Sequence, residues 1–402
     1  MGKAALKEIT SSNFMLHVWQ DMLAQTPRSK RDGFGHDKIS VNQFSANCNH
    51  YIESLSQEIR GDNYIPNPLT PHFIPKPDGK KERVICVPSV SDRLIQRCVL
   101  NYLNNKGYTL NNEISFGFVK GKANGVKKAI TKALTYRKEY PWVYKADISA
   151  FFDKIDRSIL KDLVIKKIRY PSLHNLIFLS IDTEIYCPQI ITKKKIKQKG
   201  IVEGQGLRQG MPISPYLANL YLCDFDKLAI KSNLRMVRYA DDLIVFCSSE
   251  AECRKVHDFC SDSLAKLGLD IHDIADNTKT QIVAPDEMVE FLGFGLQKKF
   301  RQKGFELVVT DNQKSAMKRK LMEYADVNYC QKRNITISKL LSQLNSKIAG
   351  YESAYDICSN NQQLSDSLKD YKSEVLSNLF SKNFQIDIGA LEKRQRSFLE
   401  LE

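Results

Sequence analysis

Two adjacent aspartates, Asp241 and Asp242, lie between short apolar segments at residues 236–239 and 243–247. The apolar segments are typical of strands, so the pattern predicts a hairpin with two carboxylates at its tip. Carboxylates held this close repel each other and raise one another's pKa unless a cation lies between them. For an isolated Asp-Asp pair, a solvated turn is the commoner explanation, because aspartate is frequent in turns.

A second predicted strand also ends near an aspartate, which favours a catalytic role for these carboxylates over a solvated turn. Residues 142–148 alternate as in a strand, and Asp147 lies near its end. If this strand neighbours the hairpin, Asp147, Asp241 and Asp242 converge, and the backbone carbonyl of Ile148 adds a further oxygen. Mg²⁺ prefers oxygen ligands, and two ions about 3.5–4 Å apart stabilise the attacking and leaving oxygens of in-line phosphoryl transfer. The carboxylates therefore predict a centre for two Mg²⁺ ions, with Mn²⁺ as the alternative ion.

The charge of the chain is compatible with a phosphate-bearing partner. Lysine and arginine number 60 against 46 acidic residues, a formal net charge of +14. Such a surplus favours a polyanion, because bound phosphates release counterions, although many basic proteins bind no nucleic acid. Five lysines cluster in a short run, and we interpret that run either as a solvated loop or hairpin or as a contact for a phosphate backbone. The run consists of Lys193, Lys194, Lys195, Lys197 and Lys199.

Several classes of protein are disfavoured. Charged residues near the start interrupt any signal peptide, and the longest apolar runs fall far short of the roughly 20 residues that cross a bilayer. The ten cysteines are scattered without zinc-knuckle spacing, so we expect reduced thiols, mostly in the core. The seven histidines show no metal spacing, and no glycine-rich phosphate loop or nucleophile elbow is present. These features predict a cytoplasmic protein without a membrane partner or histidine catalysis.

Helices and short strands must position the carboxylates. Apolar periodicity predicts helices at 12–24, 42–58 and 156–168, and another through 94–102 after Ser91 as its cap. Six prolines between residues 66 and 88 suit an extended or hairpin segment. Beyond Lys298 the pattern is helical to the end, with helices at 314–324, 338–355 and 363–380. We expect an α+β protein with a domain boundary near residue 298.

The carboxylates lie in motifs that resemble those of prokaryotic reverse transcriptases. Tyr239-Ala240-Asp241-Asp242 resembles their Tyr-x-Asp-Asp signature, and residues 147–152 resemble their first catalytic motif. Residues 209–222, QGMPISPYLANLYL, resemble their Gln-Gly-x-Pro-x-Ser-Pro motif. Residues 75–100 and 116–118 are similar to the fingers of group II intron-type enzymes, and residues 279–280 and 291–294 to the closing palm motifs and primer grip. These matches occur in the order expected of the family.

The resemblance implies a right-hand polymerase fold. In that fold the fingers and palm form an antiparallel sheet packed on helices, and the thumb is α-helical. Applied to this sequence, residues 1–64 form a helical N-terminal extension and 65–140 the fingers. Residues 141–297 form the palm with part of the fingers, and 298–402 the helical thumb and C-terminal region.

The resemblance also implies roles for the metal-binding residues. Asp147 and Asp241 would be the principal metal ligands, with Asp242 and the carbonyl of Ile148 beside them. Phe152 would lie under the incoming sugar, where its ring clashes with a 2′-hydroxyl and selects deoxynucleotides. Simple core packing is the competing interpretation of Phe152.

Other residues would bind the nucleotide. Lys76 and Arg83 resemble the fingers residues that clamp the triphosphate, with an exposed basic hairpin as the alternative. Gln209 and Gly210 would shape the nucleotide pocket, where a glycine lets backbone approach a ligand closely. Lys279 matches a residue proposed to donate a proton to departing pyrophosphate, and a structural salt bridge explains it nearly as well.

The implied partners are an RNA template, a DNA product and deoxynucleoside triphosphates. Residues 298–402 leave room for a thumb but hardly for a further DNA-binding domain, and a paired-cysteine endonuclease and the Val-Thr-Gly thumb signature of retrons are absent. This favours a stand-alone enzyme of the abortive-infection and anti-phage defence groups. Such enzymes often copy a dedicated noncoding RNA and act as homo-oligomers or with a co-encoded effector protein. A diversity-generating or group II intron-derived enzyme, an RNA-making polymerase and a non-catalytic RNA-binding splicing cofactor remain alternatives.

Overall fold

The computed structural model describes residues 4–75, 82–119, 125–275 and 278–398. Helices and antiparallel sheets are mixed, and 56% of the described residues are helical. The described helices are α1 (Ala4–Ile9), α2 (Ser12–Gln25), α3 (Val41–Ala46), α4 (Cys48–Arg60), α5 (Val90–Asn105), α6 (Val126–Glu139), α7 (Phe151–Lys154), α8 (Arg157–Lys167), α9 (Pro171–Asp182), α10 (Ile190–Gln198), α11 (Ser214–Lys231), α12 (Glu250–Ala265), α13 (Asp311–Met322), α14 (Val327–Lys332), α15 (Ile337–Ala354), α16 (Asn361–Phe384) and α17 (Lys393–Phe398). The described strands are β1 (Thr70–Pro75), β2 (Glu82–Val87), β3 (Trp142–Asp147), β4 (Arg235–Tyr239), β5 (Asp242–Cys247), β6 (Gln281–Val283), β7 (Val289–Phe291), β8 (Phe294–Lys298) and β9 (Phe305–Val308).

The strands form three sheets. β1 and β2 pair antiparallel, from Thr70 opposite Val87 to Pro75 opposite Glu82. A four-stranded sheet has the order β4-β5-β3-β6, and a three-stranded antiparallel sheet has the order β7-β8-β9. Because β3 and β5 are neighbours, the strand that carries Asp147 runs beside the strand that begins at Asp242.

The chain divides into two compact units. The first comprises residues 1–125, 144–245 and 251–281, and the second comprises residues 126–143, 246–250 and 282–402. In the first unit, α11 has buried residues on several faces, among them Leu217, Leu220 and Tyr221, so it is a core helix. Every candidate site residue within the described ranges belongs to this unit. The four-part division into extension, fingers, palm and thumb stays a prediction.

The second unit has its own core. Leu344 of α15, Leu368 and Val375 of α16, and Leu321 of α13 are completely buried. Arg137 of α6 is also buried, and its guanidinium donates hydrogen bonds to the backbone carbonyls of Leu296, Ala284 and Glu287. A buried charge is tolerated here because several backbone acceptors satisfy it.

Side-chain caps explain where several helices begin. Ser40 and Gln43 form a reciprocal capping box at α3, and Asp156 accepts from two backbone N–H groups at the start of α8. The cap predicted at Ser91 was wrong. Ser89 caps α5 by accepting from the N–H of Asp92 at 3.1 Å, because a serine there reaches the third helical residue, whereas Ser91 already lies within the first turn.

Most predicted elements are present, with three differences. The helix predicted over 42–58 is two helices interrupted at Asn47. A loop or hairpin was one of the two interpretations of the lysine run, but its first four lysines lie in α10, where Ile196 supplies a buried position, and Lys199 is the C-cap. The chain beyond Lys298 is not helical throughout, because β9 pairs with β8 and buries Phe305 and Leu307 before α13 begins. Among the described helices, none has both the length and the apolar composition needed to span a bilayer.

Candidate active site

The hairpin tip and the end of β3 meet directly. β4 ends at Tyr239 and β5 begins at Asp242, so Ala240 and Asp241 form the turn, with Ala240 in the left-handed region at φ +59°. The N–H of Ile148 donates to the backbone carbonyl of Asp241 at 3.1 Å. The predicted convergence of the two acidic strand ends is therefore present.

The electrostatics of Asp242 reflect this convergence. Burial raises the pKa of Asp242 to about 6, and the charges of Asp241 and Asp147 raise it in the same direction. Lys145 and Lys279 oppose the shift. A pKa raised by neighbouring carboxylates means that negative charge is concentrated at this point, where a cation is favoured.

Lys279 supplies one such positive charge. Its ammonium donates to Oδ2 of Asp147 at 2.5 Å, although the lysine side chain is 67% exposed. Burial lowers the pKa of Lys279, but the hydrogen bond to Asp147 and the charges of Asp147, Asp242 and Asp241 outweigh burial and raise that pKa above its ordinary value. Lys279 is therefore protonated at neutral pH. It forms a salt bridge with Asp147, which was one of the two interpretations of this lysine.

The donor atoms suit a hard divalent cation. Within the described parts of the chain, no group of three or more histidine, cysteine, aspartate or glutamate side chains is arranged so that it could hold a metal ion. The carboxylates of Asp147, Asp241 and Asp242 nevertheless surround one strand junction, and they offer the oxygen donors that Mg²⁺ prefers. Mg²⁺ often keeps several waters and takes only a few protein ligands, so an incomplete protein cluster fits this ion.

A cavity of about 930 Å³ lies over the carboxylates. It gathers the other predicted site residues that the structure describes. Its walls include Arg83, Ile148, Phe152, Gln209, Gly210 and Lys279, together with Asp147, Asp241 and Asp242. Lys76 lies outside the described residues. Residues spread over about half of the sequence thus face one space.

Two neighbouring phenylalanines of α7 differ in exposure. This helix follows Ala150, which lies in the left-handed region at φ +48°. Phe151 is buried and Phe152 is half-buried, and both line the cavity. The Phe152 ring meets the Phe118 ring edge to face, with 6.2 Å between centroids. The ring of Phe152 is therefore the more accessible of the two to a ligand in the cavity.

The packing of the protein requires a glycine at position 210. Its φ is +110°, and a Cβ at this position would lie 2.5 Å from the backbone oxygen of Cys86. The carbonyl of Gln209 accepts from the N–H of Cys86 at 2.7 Å. The reason expected for the glycine was close approach to a ligand, but the structure shows close approach to β2. The predicted contacts of Gln209 and Gly210 with a nucleotide stay predictions.

A buried polar network supports the turn that carries Asp241, and the sequence did not predict this network. Arg238 is 1% exposed and donates to Oδ1 of Asp226 at 2.7 Å and to Oδ2 of Asp226 at 2.5 Å. It also donates to Asn219 at 3.1 Å, to Ser115 at 2.8 Å and to the carbonyl of Ala240 at 2.9 Å. The last bond fixes the turn that carries Asp241.

Two signals in the sequence pointed to this network. Arg238 is a charged residue inside the apolar segment 236–239, and Asn219 and Asp226 are seven residues apart, which places them on one face of α11. Gly117 completes the support, because its carbonyl accepts from Asn219 at 2.8 Å and a Cβ there would lie 2.5 Å from the nitrogen of Ala240. The turn therefore rests on backbone with no space for a side chain.

Comparison with known proteins decides the family. The model of the family described as "Reverse transcriptase (RNA-dependent DNA polymerase)" matches residues 74–296. The chain belongs to this family. The match spans Arg83 to Lys279, so the described candidate residues lie inside the reverse transcriptase domain.

The curated relatives of this reverse transcriptase are about one quarter identical to it over the aligned residues. The chain is 25% identical over 236 residues to "Group II intron-encoded protein LtrA" of Lactococcus lactis subsp. cremoris, covering 56% of this chain and 33% of that protein. It is 26% identical over 204 residues to "Protein YkfC" of Escherichia coli (strain K12), covering 48% and 49%. It is 27% identical over 176 residues to "Uncharacterized 91 kDa protein in cob intron" of Schizosaccharomyces pombe, covering 44% and 20%. The chain thus spans at most about half the length of these relatives.

Proposed function

We propose that this protein is an RNA-directed DNA polymerase that adds deoxynucleotides to a primer by two-metal nucleotidyl transfer. The observation that carries the proposal is the contact between Ile148 and Asp241, which brings three carboxylates to one cavity. The cavity is also lined by Arg83, whose guanidinium is opposite in charge to a nucleotide's phosphates. The fold would correspond to the fingers, palm and thumb of a right-hand polymerase.

The carboxylates define where the cations would bind. Asp147, Asp241 and Asp242, with the carbonyl of Ile148, would hold two Mg²⁺ ions, or Mn²⁺ in their place. When bound, such ions stabilise the attacking and leaving oxygens of an in-line displacement. The Arg238 network keeps the Asp241 turn in one position, so the ligands are organised before substrate arrives.

The other cavity residues would select and orient the nucleotide. Arg83 presents a forked donor that matches phosphate oxygens. The Phe152 ring would exclude a 2′-hydroxyl, which favours deoxynucleotides. Lys279 is charged and bound to Asp147, so it can steady that carboxylate or give a proton to departing pyrophosphate.

Primer extension tests the proposal. The wild-type protein should incorporate labelled deoxynucleotides on an RNA template with a DNA primer. The double variant Asp241→Ala, Asp242→Ala should lose roughly a hundredfold or more of this activity, because electrostatic stabilisation of the reaction is removed. Asp262→Ala, an exposed aspartate on α12, is the matched control and should behave as wild type. Unchanged synthesis by the double variant would refute the proposal.

A splicing cofactor is the second candidate function, because two of the relatives are named for introns. Such a protein would bind intron RNA and need no polymerase chemistry. The same double variant separates the two functions in a splicing assay with a group II intron. Splicing that is supported equally by wild type and variant, without DNA synthesis by either, would favour the cofactor.

We also propose that the enzyme acts in anti-phage defence on a dedicated noncoding RNA. This proposal rests on the sequence resemblance. Cells that express the wild-type protein from its native locus should survive phage challenge better than cells with the Asp241→Ala, Asp242→Ala variant. Sequencing of the RNA and DNA that co-purify with the protein should then give one recurrent template and its copy. Equal survival of both strains would exclude a defence role that depends on DNA synthesis.

A further inference from the structure

The end of the lysine-rich helix α10 forms part of the cavity wall, through Gln198 and Lys199. Ile196 is its buried residue, and the helix ends with Lys199 at the C-cap. Gly200 follows in the left-handed region at φ +81°, a conformation that ends helices and favours glycine. The end of α10 is therefore fixed by the sequence, and it places Lys199 next to the cavity.

Two lysines of this segment reach the β1–β2 hairpin. The Lys195 ammonium lies 3.0 Å from Oε2 of Glu82 and 4.1 Å from the centroid of the Phe73 ring. Lys199 lies 3.5 Å from the same oxygen of Glu82. The hydrogen bond from Lys195 is the largest of the effects that lower the pKa of Glu82. The carboxylate of Glu82 thus forms ion pairs with two lysines, and Lys195 is its principal partner.

This arrangement leaves positive charge on the cavity side. One carboxylate neutralises one ammonium, so the pair of lysines at Glu82 retains a net positive charge. Lys199 and Arg83 both line the cavity, whereas Lys195 is occupied by Glu82 and Phe73. The same cavity is also lined by Lys279 and by the carboxylates of Glu82, Asp147, Asp153, Asp241 and Asp242. The cavity therefore offers carboxylates, which suit cations, together with the cations Arg83 and Lys199, which suit phosphates.

We propose that Lys199 binds the triphosphate of the incoming nucleotide together with Arg83, with Glu82 and Lys195 as positioning residues. This inference rests on the proposed polymerase function, because it assigns the substrate's phosphates to Arg83 and Lys199 of that site. An ammonium donates up to three hydrogen bonds and suits the β and γ phosphates as a mobile point charge.

Three variants test the inference. Lys199→Ala should raise KM for deoxynucleoside triphosphates roughly tenfold, because a charge-assisted hydrogen bond is lost, and should change kcat much less. Lys199→Arg retains the charge and should recover most of the affinity. Lys194→Ala removes an exposed lysine of the same helix and should match wild type. Thermal melting of each variant checks that α10 remains folded.

Equilibrium binding keeps this test separate from the test of polymerase activity. An unreactive α,β-imido deoxynucleoside triphosphate should bind Lys199→Ala about tenfold more weakly than wild type, whereas the deoxynucleoside monophosphate should bind both equally. Equal triphosphate binding would overturn the assignment of Lys199, even if synthesis is active. A loss of RNA affinity with unchanged KM would also overturn it, since it would place Lys199 on the template. Failure of wild type to synthesise DNA would contradict the proposed function and leave the binding comparison to decide the role of Lys199.

Discussion

Removal of the Arg238 guanidinium should destabilise the protein severely. In Arg238→Met, the carboxylate of Asp226 stays buried without its charged partner, and Asn219, Ser115 and the Ala240 carbonyl each lose a donor. Breaking a buried ion pair by removing one member costs about 3–5 kcal/mol. That loss is a large part of the roughly 5–15 kcal/mol by which folded proteins are stable.

The measurement is the free energy of unfolding from urea titration, followed by circular dichroism. The matched control is Arg235→Met on the same strand. Arg235 pairs with Glu252 at 2.9 Å, but both side chains are about one third exposed, so loss of the pair should cost less than about 1 kcal/mol. A variant Arg238→Met that loses no more stability than Arg235→Met would refute the importance of the network.

A double variant separates the stability of the network from its effect on the site. Arg238→Met with Asp226→Leu removes both buried charges, so much of the lost stability should return. The carbonyl of Ala240 still lacks its donor, so DNA synthesis should remain well below wild type. Full recovery of activity in the double variant would show that the aspartate turn does not depend on the guanidinium.

Three further changes test the site and its surroundings. Gly117→Ala places a Cβ 2.5 Å from the nitrogen of Ala240 and should lower primer extension about a hundredfold through displacement of the turn, whereas Gly350→Ala, in open space on α15, should leave activity unchanged. Phe152→Ala should reduce the preference for deoxynucleotides over ribonucleotides about tenfold or more in competing incorporation assays, and an unchanged preference would remove its assignment as the sugar gate. Burial raises the pKa of Cys260 from 9.0 to about 12, so the folded state keeps a proton that the unfolded state releases. The stability that this thiol contributes is complete below pH 9 and is lost as the pH rises from 9 toward 12. Between pH 8 and pH 10, Cys260→Ala should therefore lose less resistance to urea than wild type. Equal losses would contradict the pKa shift.

The sequence by itself determined the elements that carry the site and the chemistry of its carboxylates. Alternation and apolar periodicity depend on residues that are near in the chain, so they indicated β3, the β4–β5 hairpin and the long helices α15 and α16. The types and order of Asp147, Asp241 and Asp242 indicated a cation site for phosphoryl transfer before any distance was known.

Only the tertiary structure decided how the site is supported. The Arg238 network joins strand β4 to α11 and to the segment before α6, and each contact depends on how distant parts of the chain pack. The same holds for Gly210, whose missing side chain makes room for β2. It also holds for Glu82, which pairs with Lys195 of α10 and with Lys199 at the end of that helix. Local patterns specify helices and strands through backbone periodicity, but a hydrogen bond between residues a hundred positions apart exists only where packing has placed both groups within about 3 Å.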